Sequence, residues 1–380
     1  MSSEFLAALE RVQNWGTNRL DYRPGLETDA LAVLERDIKT LLGAEGQDKE
    51  ELFSRADWIR EQVFGDEVHF RGIIEFSNYC YRNCFYCGLR YSNRKLRRYR
   101  LDPEEIIEVA KRGAALGVKT IVLQSGEDFW YSREIMSQVV SSIKHGLGLA
   151  VTLSLGNRSY EDYAEWRAAG ADRYLLKHET ADASLFAQLR PGTSLADRLR
   201  HLDWLRELGY QVGAGNIVGL PGQTLDTLSQ DLILLWKLDV EMAGIGPFIP
   251  HPDTPLGDSP AGSVEMTLKV LAVARLLLPF THLPATTALA TLDPEGRLRA
   301  LACGANVIMP NIMPRRYRLD YAIYPDKAGI TQEPEESWQD LLQLLARAKR
   351  KLASGYGHSP KAKFGGGLVS LGETCIQAVE

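Results

Sequence analysis

Three of the chain's five cysteines fall within eight residues, in Cys80-Tyr-Arg-Asn-Cys84-Phe-Tyr-Cys87. Thiolates at this density bind metal. A structural zinc site closes with four ligands, usually from two separated pairs, and no fourth Cys or His follows here at ligand spacing. An iron–sulfur cluster also normally takes four thiolates. Three on one loop therefore leave one iron of a four-iron cluster open to an exogenous ligand, and an open metal position is where chemistry happens. The bland alternative is a small structural zinc loop, which the ligand count disfavours. Cys303, in Leu-Ala-Cys-Gly-Ala-Asn, reads as a core residue and Cys375 as a tail thiol, and neither is assigned chemistry.

A cluster loop needs a scaffold. Short β-branched runs alternate with helical patterns of ten to fifteen residues. Candidate strands are Phe70–Phe76, Thr120–Gln124, Leu149–Ser154, Arg173–Lys177, Gln211–Val218, Ala243–Phe248, His282–Leu289 and Asn306–Met309. Helical stretches between them include Pro103–Gly117, Arg133–Lys144, Tyr160–Ala169, Leu195–Leu208, Thr224–Leu238, Met266–Leu278 and Pro294–Cys303. Eight such units predict an α/β fold, a (β/α)8 TIM-type barrel; an open doubly wound sheet is the competing architecture. Amphipathic spacing predicts helices from Thr28 to Leu42 and over Lys49–Val63, and a further one over Ser337–Leu352. Residues 1–22 show little pattern, with a turn at Asp21-Tyr-Arg-Pro-Gly, and Gly365-Gly-Gly suggests a mobile tail. The expected organisation is a helical N-terminal extension (1–67), the barrel (68–325), and a C-terminal helix and tail (326–380).

In a barrel, function collects on the loops after the C-terminal ends of the strands. The cysteine loop follows the first strand. Gln124-Ser-Gly126-Glu-Asp128 follows the second, and Lys177-His-Glu179-Thr180 ends the fourth. Four polar groups at a strand end are costly to bury without partners, which favours a site there. His178 alone proves little, and Arg198 in the next helix is either a ligand or a solvated helix face. Gly213-Ala-Gly-Asn-Ile-Val-Gly-Leu-Pro-Gly-Gln223 lets a ligand approach the backbone closely; without a Gly-Lys-Ser/Thr ending it is no P-loop. The four-proline segment Gly246–Pro255 is either a cavity wall or a rigid connection. Thr286 and Thr287 on strand seven, followed by Tyr317, Tyr321 and Tyr324, supply donors suited to a small carboxylate.

Composition narrows the partners. Hydrophobic residues make up 45% and charged residues 24%, enough for a large core, and a net charge of −5 gives no electrostatic case for nucleic acid or an anionic membrane. No run approaches a membrane span, and the N-terminus lacks a basic segment followed by an apolar one, so a cytoplasmic location is expected.

The order C-x3-C-x2-C resembles the signature of the radical SAM enzymes, in which the open iron is chelated by S-adenosylmethionine (SAM). Reductive cleavage there yields a 5′-deoxyadenosyl radical, and an aromatic at the position of Tyr86 borders the adenine. Ser125-Gly126-Glu127 resembles the family's Gly-Gly-Glu segment, which holds the methionyl amine. Further segments resemble the HydE family of [FeFe]-hydrogenase maturases: Ile74-Glu-Phe-Ser-Asn78, Cys87-Gly-Leu-Arg90, Val122–Asp128, Ala171–Leu176, Gly219-Leu-Pro-Gly-Gln-Thr224, Gly244–Pro255 and Cys303–Pro310. The resemblance implies a single [4Fe-4S] cluster on Cys80, Cys84 and Cys87. It places Tyr86, Gln124, Gly126, Glu179, Arg198 and Met309 around SAM, and Lys177, Thr286, Thr287, Tyr321 and Tyr324 around substrate. Lys177 stands where the family pattern often has arginine, keeping the charge but losing the planar fork. The implied substrate is an iron–dicarbonyl–cyanide–cysteine complex supplied by HydG, attacked at sulfur by the radical, with later transfer to HydF. Competing readings are a carbon-skeleton enzyme like the mutase PylB or biotin synthase, the latter needing cysteines for a second cluster that this chain lacks, and a non-catalytic iron–sulfur carrier.

Overall fold

The first strand of the barrel is buried along nearly all its length, as a strand covered on both faces must be. In a computed structural model describing residues 1–18 and 28–365, it is β1 (Glu67–Ser77). It is followed by β2 (Thr120–Ser125), β3 (Ala150–Ser154), β4 (Arg173–Leu175), β5 (Gln211–Ala214), β6 (Ile217–Val218), β7 (Met242–Ala243), β8 (Gly246–Pro247), β9 (Val307–Ile308) and β10 (Lys351–Leu352). Parallel ladders run in the order β10-β1-β2-β3-β4-β5-β7, and β9 pairs with β1. Single parallel bridges, Met242 with His282 and Pro284 with Val307, carry the pairing from β7 to β9 and so back to β1. The result is the predicted parallel TIM-type barrel.

Helices Pro103–Ala115, Arg133–Ser141, Tyr160–Ala168, Leu195–Glu207, Leu225–Leu238 and Val264–Leu277 cover its outside. Five of them begin at Ser132, Ser159, Ser194, Thr224 and Ser263, whose hydroxyls each accept a bond from the amide three residues on.

Several expectations are corrected. Strand seven shrinks to two bridges, because Thr286 caps a helix at Thr287–Leu292, its hydroxyl accepting from the Leu289 amide at 3.4 Å. The fifth and sixth strands each break in two. Gly215, with φ +152°, ends β5, and a Cβ there would lie 2.2 Å from the Gly244 carbonyl oxygen. Beyond the break, β6 and β8 pair as a separate two-stranded ladder. The last helix is Pro334–Arg347, and Lys351–Leu352 instead adds to β1 at Glu67 and Val68.

Residues 3–17, read as patternless, form a helix burying Phe5, Ala8, Leu9, Val12 and Gly16. That spacing is helical, but the polar residues interleaved with it hide it. At Gly16 a Cβ would lie 2.0 Å from the Leu276 carbonyl oxygen, so the helix rides directly on the backbone of Val264–Leu277. The latter is buried from Thr267 to Leu277, pressed between the barrel and the N-terminal helices Ser3–Thr17, Thr28–Leu42 and Gly46–Phe64. The expected turn at Asp21–Gly25, and the tail after Gly365 with Cys375, lie outside the described residues.

Candidate active site

The cysteine loop leaves the top of β1 and is wrapped around Arg98. That guanidinium donates to the carbonyls of Leu89 (2.9 Å), Arg90 (2.8 Å), Asn93 (3.2 Å) and Asn78. Asn78 bonds Arg97 O and Asp320 O through its amide and accepts from the Tyr99 amide. Two glycines let the loop seat. A Cβ on Gly88 would lie 2.1 Å from the Ala322 carbonyl oxygen and 2.4 Å from the His251 ring, and one on Gly126 would lie 2.2 Å from the Tyr79 carbonyl oxygen and 2.6 Å from Cys80 Cβ.

Cys80, Cys84 and Cys87 are free thiols, and the Glu127 amide donates to Cys80 Sγ at 3.4 Å. Burial is the main force pushing the Cys80 thiol up to about 11. Burial, and then the neighbouring thiols, raise Cys87 as well. Such thiols need metal charge to ionise. Among the described residues no three His, Cys, Asp or Glu side chains converge on a point suited to one ion. Thiolates of a four-iron cluster each bind a different iron, so three on one loop can hold one without converging on a single point.

Beside the loop, Glu127 gathers three guanidiniums. Its carboxylate accepts from Arg82 Nε at 2.6 Å and Arg190 Nη2 at 3.4 Å, and lies 4.0 Å from Arg198 Nη2. Arg190 also donates to the Tyr86 hydroxyl at 2.8 Å and lies 3.8 Å from Glu179. Arg198 Nε and Arg190 Nε are buried without a partner among the described residues, donors left for an acceptor such as a carboxylate. Burial lowers the Arg198 pKa, and Arg190 adds to the effect.

Glu179 has φ +66°, strained for a glutamate. It is held there by Glu179 N to Gly215 O (2.9 Å), Ile217 N to Glu179 O (2.9 Å) and a tight Thr180 N to His178 O bond (2.8 Å). Buried Asp231 anchors the same turn, accepting from the Ala181 amide at 2.5 Å and Asn216 Nδ2 at 3.1 Å.

Glu127, Glu179, Arg82, Arg190 and Arg198 line, with the three cysteines, one cavity of about 390 Å³. Tyr86, Gln124, Gly126, Glu179, Arg198 and Met309 reach it, as do Lys177, Thr286, Thr287 and Tyr324. Lys177 lies 4.0 Å from Glu179, and burial lowers its pKa. Thr287 accepts from Arg297 at 3.1 Å. Tyr321 is not on the wall; it is buried behind it, its ring 5.0 Å from Lys327 Nζ. Phe248 and Ile249 make the proline-rich segment a cavity wall.

Sequence reading missed Arg190, Arg297 and the buried pair Glu75–Lys327, joined at 2.8 Å with Asn311 donating to Glu75 at 2.7 Å. Arg190 follows a short helix, Ala183–Leu189, that went unrecognised although Asp182 caps it. Lys327 sits in a segment with no periodicity at all. Glu127 was legible only as part of its stretch.

Comparison with known proteins bears on these features. Residues 74–235 match the model of the radical SAM superfamily. The chain is 52% identical over 308 residues, covering 81% of it and 88% of the relative, to the [FeFe] hydrogenase maturase subunit HydE of Thermotoga maritima. It is 29% identical to the 3-methylornithine synthase of Methanosarcina acetivorans, covering 93% of this chain and 98% of that one. In structure it superposes on methylornithine synthase (PylB) with a TM-score of 0.76, at 26% identity over 91% of this chain and 97% of that one. Residues 74–235 thus carry the radical SAM pattern, and at 52% identity over most of its length the chain is a radical SAM enzyme that belongs to the HydE family of [FeFe]-hydrogenase maturases.

Proposed function

We propose that this enzyme acts in assembly of the [FeFe]-hydrogenase H-cluster, on an iron–dicarbonyl–cyanide–cysteine complex supplied by HydG, and that its product passes on to HydF. The observation that carries the reading is the polarity of the cavity. The thiols, Glu127, Glu179, Arg190 and Arg198 share its wall with Lys177, 4.0 Å from Glu179, with Lys327 paired to Glu75, and with Arg297 and the hydroxyls of Thr286 and Thr287. Cations and hydroxyls in a buried setting suit an anionic, cysteine-derived ligand, because charge-assisted bonds strengthen away from water.

The chain's residues fit a [4Fe-4S] cluster and SAM. Cys80, Cys84 and Cys87 would hold the cluster, the partnerless guanidinium nitrogens of Arg190 and Arg198 would take the SAM carboxylate, Glu179 its ammonium, and Tyr86, Gln124, Gly126 and Met309 the remainder. Together these groups supply, when bound, a 5′-deoxyadenosyl radical on reduction. Lys177, Thr286, Thr287 and Tyr324 would bind and orient the substrate, with Tyr321 supporting from behind the wall. Loss of the arginine fork at position 177 leaves Lys177 as a point charge, and Arg297, bound to Thr287, contributes a planar guanidinium nearby.

Mixing reduced enzyme, SAM and the iron-57-labelled HydG product should give a new paramagnetic iron species bearing the adenosyl group. Transfer of deuterium from a labelled carbon skeleton into 5′-deoxyadenosine, with no response to the iron complex, would instead support a PylB-like reaction.

A further inference from the structure

Nine large hydrophobic side chains are exposed among the described residues, and five of them, Tyr79, Tyr81, Tyr91, Phe129 and Trp130, belong to one face around Cys80. Tyr79 and Tyr81 flank that cysteine in the chain, and the Tyr81 amide donates to the Glu127 carbonyl at 3.2 Å, two residues before Phe129. The Tyr81 and Phe129 rings lie 5.0 Å apart. Solvent-facing aromatics grouped this way mark interaction surfaces.

The same face is basic. Residues 90–100 carry Arg90, Arg94, Lys95, Arg97, Arg98 and Arg100 and no acid. This strap is laid along the cluster loop: Ser77 bridges Arg100 antiparallel, the Tyr91 amide donates to Arg82 O at 2.7 Å, and Ser92 donates to Asn83 Oδ1 from its amide at 2.9 Å. Arg98 is spent inside the loop, and Arg100 and Arg82 are neutralised by Asp128 and Glu127, so the charge left on the face is that of Arg94, Lys95 and Arg97. Arg100 stacks 3.8 Å over Tyr79, Arg82 4.5 Å over Tyr81 and Arg94 4.8 Å over Tyr91. Lys95 and Arg97, with side chains 80% and 74% exposed, are each tied to only one acid, Asp253 and Asp320. Arg94 has no ion pair among the described residues.

We propose that this arginine–aromatic face is the docking surface for the cluster's reductant, a small acidic one-electron carrier protein. The inference rests on the reading of Cys80, Cys84 and Cys87 as cluster ligands. The reaction needs one electron delivered from outside, and the carrier is oxidised by one electron as the cluster is reduced by one. The chain as a whole is acidic, at net −5, so a basic patch beside the thiols steers an acidic carrier to the one place where transfer is useful. The aromatics supply apolar contact at the centre, and the cations supply a rim that speeds encounter and falls in strength with salt.

The test uses the reconstituted enzyme, checked for four irons per chain, and each acidic ferredoxin and flavodoxin of the host cell in purified reduced form. Stopped-flow reduction of the cluster is compared between the parent and an Arg94→Glu, Lys95→Glu double variant, across ionic strength, with dithionite as a small control reductant. Binding of the oxidised carrier is measured separately by calorimetry. The variant is expected to lose at least about tenfold in the carrier-dependent second-order rate and most of its salt dependence, to bind carrier correspondingly more weakly, and to keep the parent's rate with dithionite. Equal carrier rates and affinities in the two proteins, or no binding of any such carrier by the parent, would overturn the proposal. Failure of the parent to assemble a dithionite-reducible cluster would overturn the functional reading on which it rests.

Discussion

Glu127 neutralises a concentration of positive charge that the barrel mouth otherwise could not hold. Three guanidiniums face it, two of them nearly buried, and among the described residues only Glu179 offers a second carboxylate. Removing one partner of a buried ionic cluster costs far more than the cluster contributes net. Glu127→Gln is therefore expected to lower stability by about 3 kcal/mol, seen as a lower urea midpoint. It should also weaken SAM binding while leaving the three thiols able to assemble iron; unchanged stability would show that Arg82, Arg190 and Arg198 find other partners. Alanine at Cys80, Cys84 or Cys87 should abolish the cluster's paramagnetic signal. Cys303→Ala should retain it, because that thiol is buried in the core and its hydrogen-bond acceptor is the Ala300 carbonyl. The cysteines were legible because ligand spacing is a local pattern. Arg190 and Lys327 were not, because their roles come from partners brought together by the fold: Arg190 from Tyr86, 104 residues away, and Lys327 from Glu75, 252 residues away.

Elements meet at glycines where a methyl group has no room. Gly126, at the end of β2, is the point where the cluster loop touches its neighbour. Gly126→Ala should displace the Tyr79–Cys80 backbone and reduce iron content in reconstitution, with a stability cost of about 1–3 kcal/mol. Gly16→Ala should cost about as much by levering helix Ser3–Thr17 off Val264–Leu277, with no effect on iron content, and a guanidinium unfolding curve paired with iron counting separates the two. Strand–helix alternation made the barrel readable, since alternation is set by local periodicity. Strand seven was misread because His282–Leu289 is extended only as far as its bridges, after which the Thr286 hydroxyl starts a helix, a choice between two locally acceptable conformations. The break at Gly215 likewise depends on Gly244 lying against it.

At the scale of the whole molecule, the barrel is closed below by its own C-terminal segment. Arg71 donates to Gly357 O at 3.0 Å, Arg173 to Tyr356 O at 2.9 Å, and the Ser359 amide to Gln211 at 2.9 Å. Three histidines share this floor. Burial first, and then the nearby arginines, lower His69 to about 4 and hold the fully buried His282 well below its usual value, and partial burial with Arg173 lowers His358, at the exposed edge, to about 4. Each is neutral in the folded state, so below the unfolded value of about 6.5 the unfolded chain binds more protons. Stability should thus hold above pH 6.5 and fall as pH drops from there toward 4, by at most on the order of 1 kcal/mol per pH unit for each histidine. Exposed His358 should contribute least. The urea midpoint measured at pH 7.5 and 5 checks this, and His282→Asn should flatten the difference. The floor also has a consequence in time. β1 pairs with Val307–Ile308 and Lys351–Leu352, segments translated long after it. On a ribosome adding roughly 5–20 residues per second, β1 and the thiols at its end wait on the order of ten seconds to a minute before their ring can shut. Through that interval the nascent chain carries an unpaired strand edge and three cysteines, which makes the segment around Lys351–Leu352 the one that ends its exposure to aggregation and oxidation.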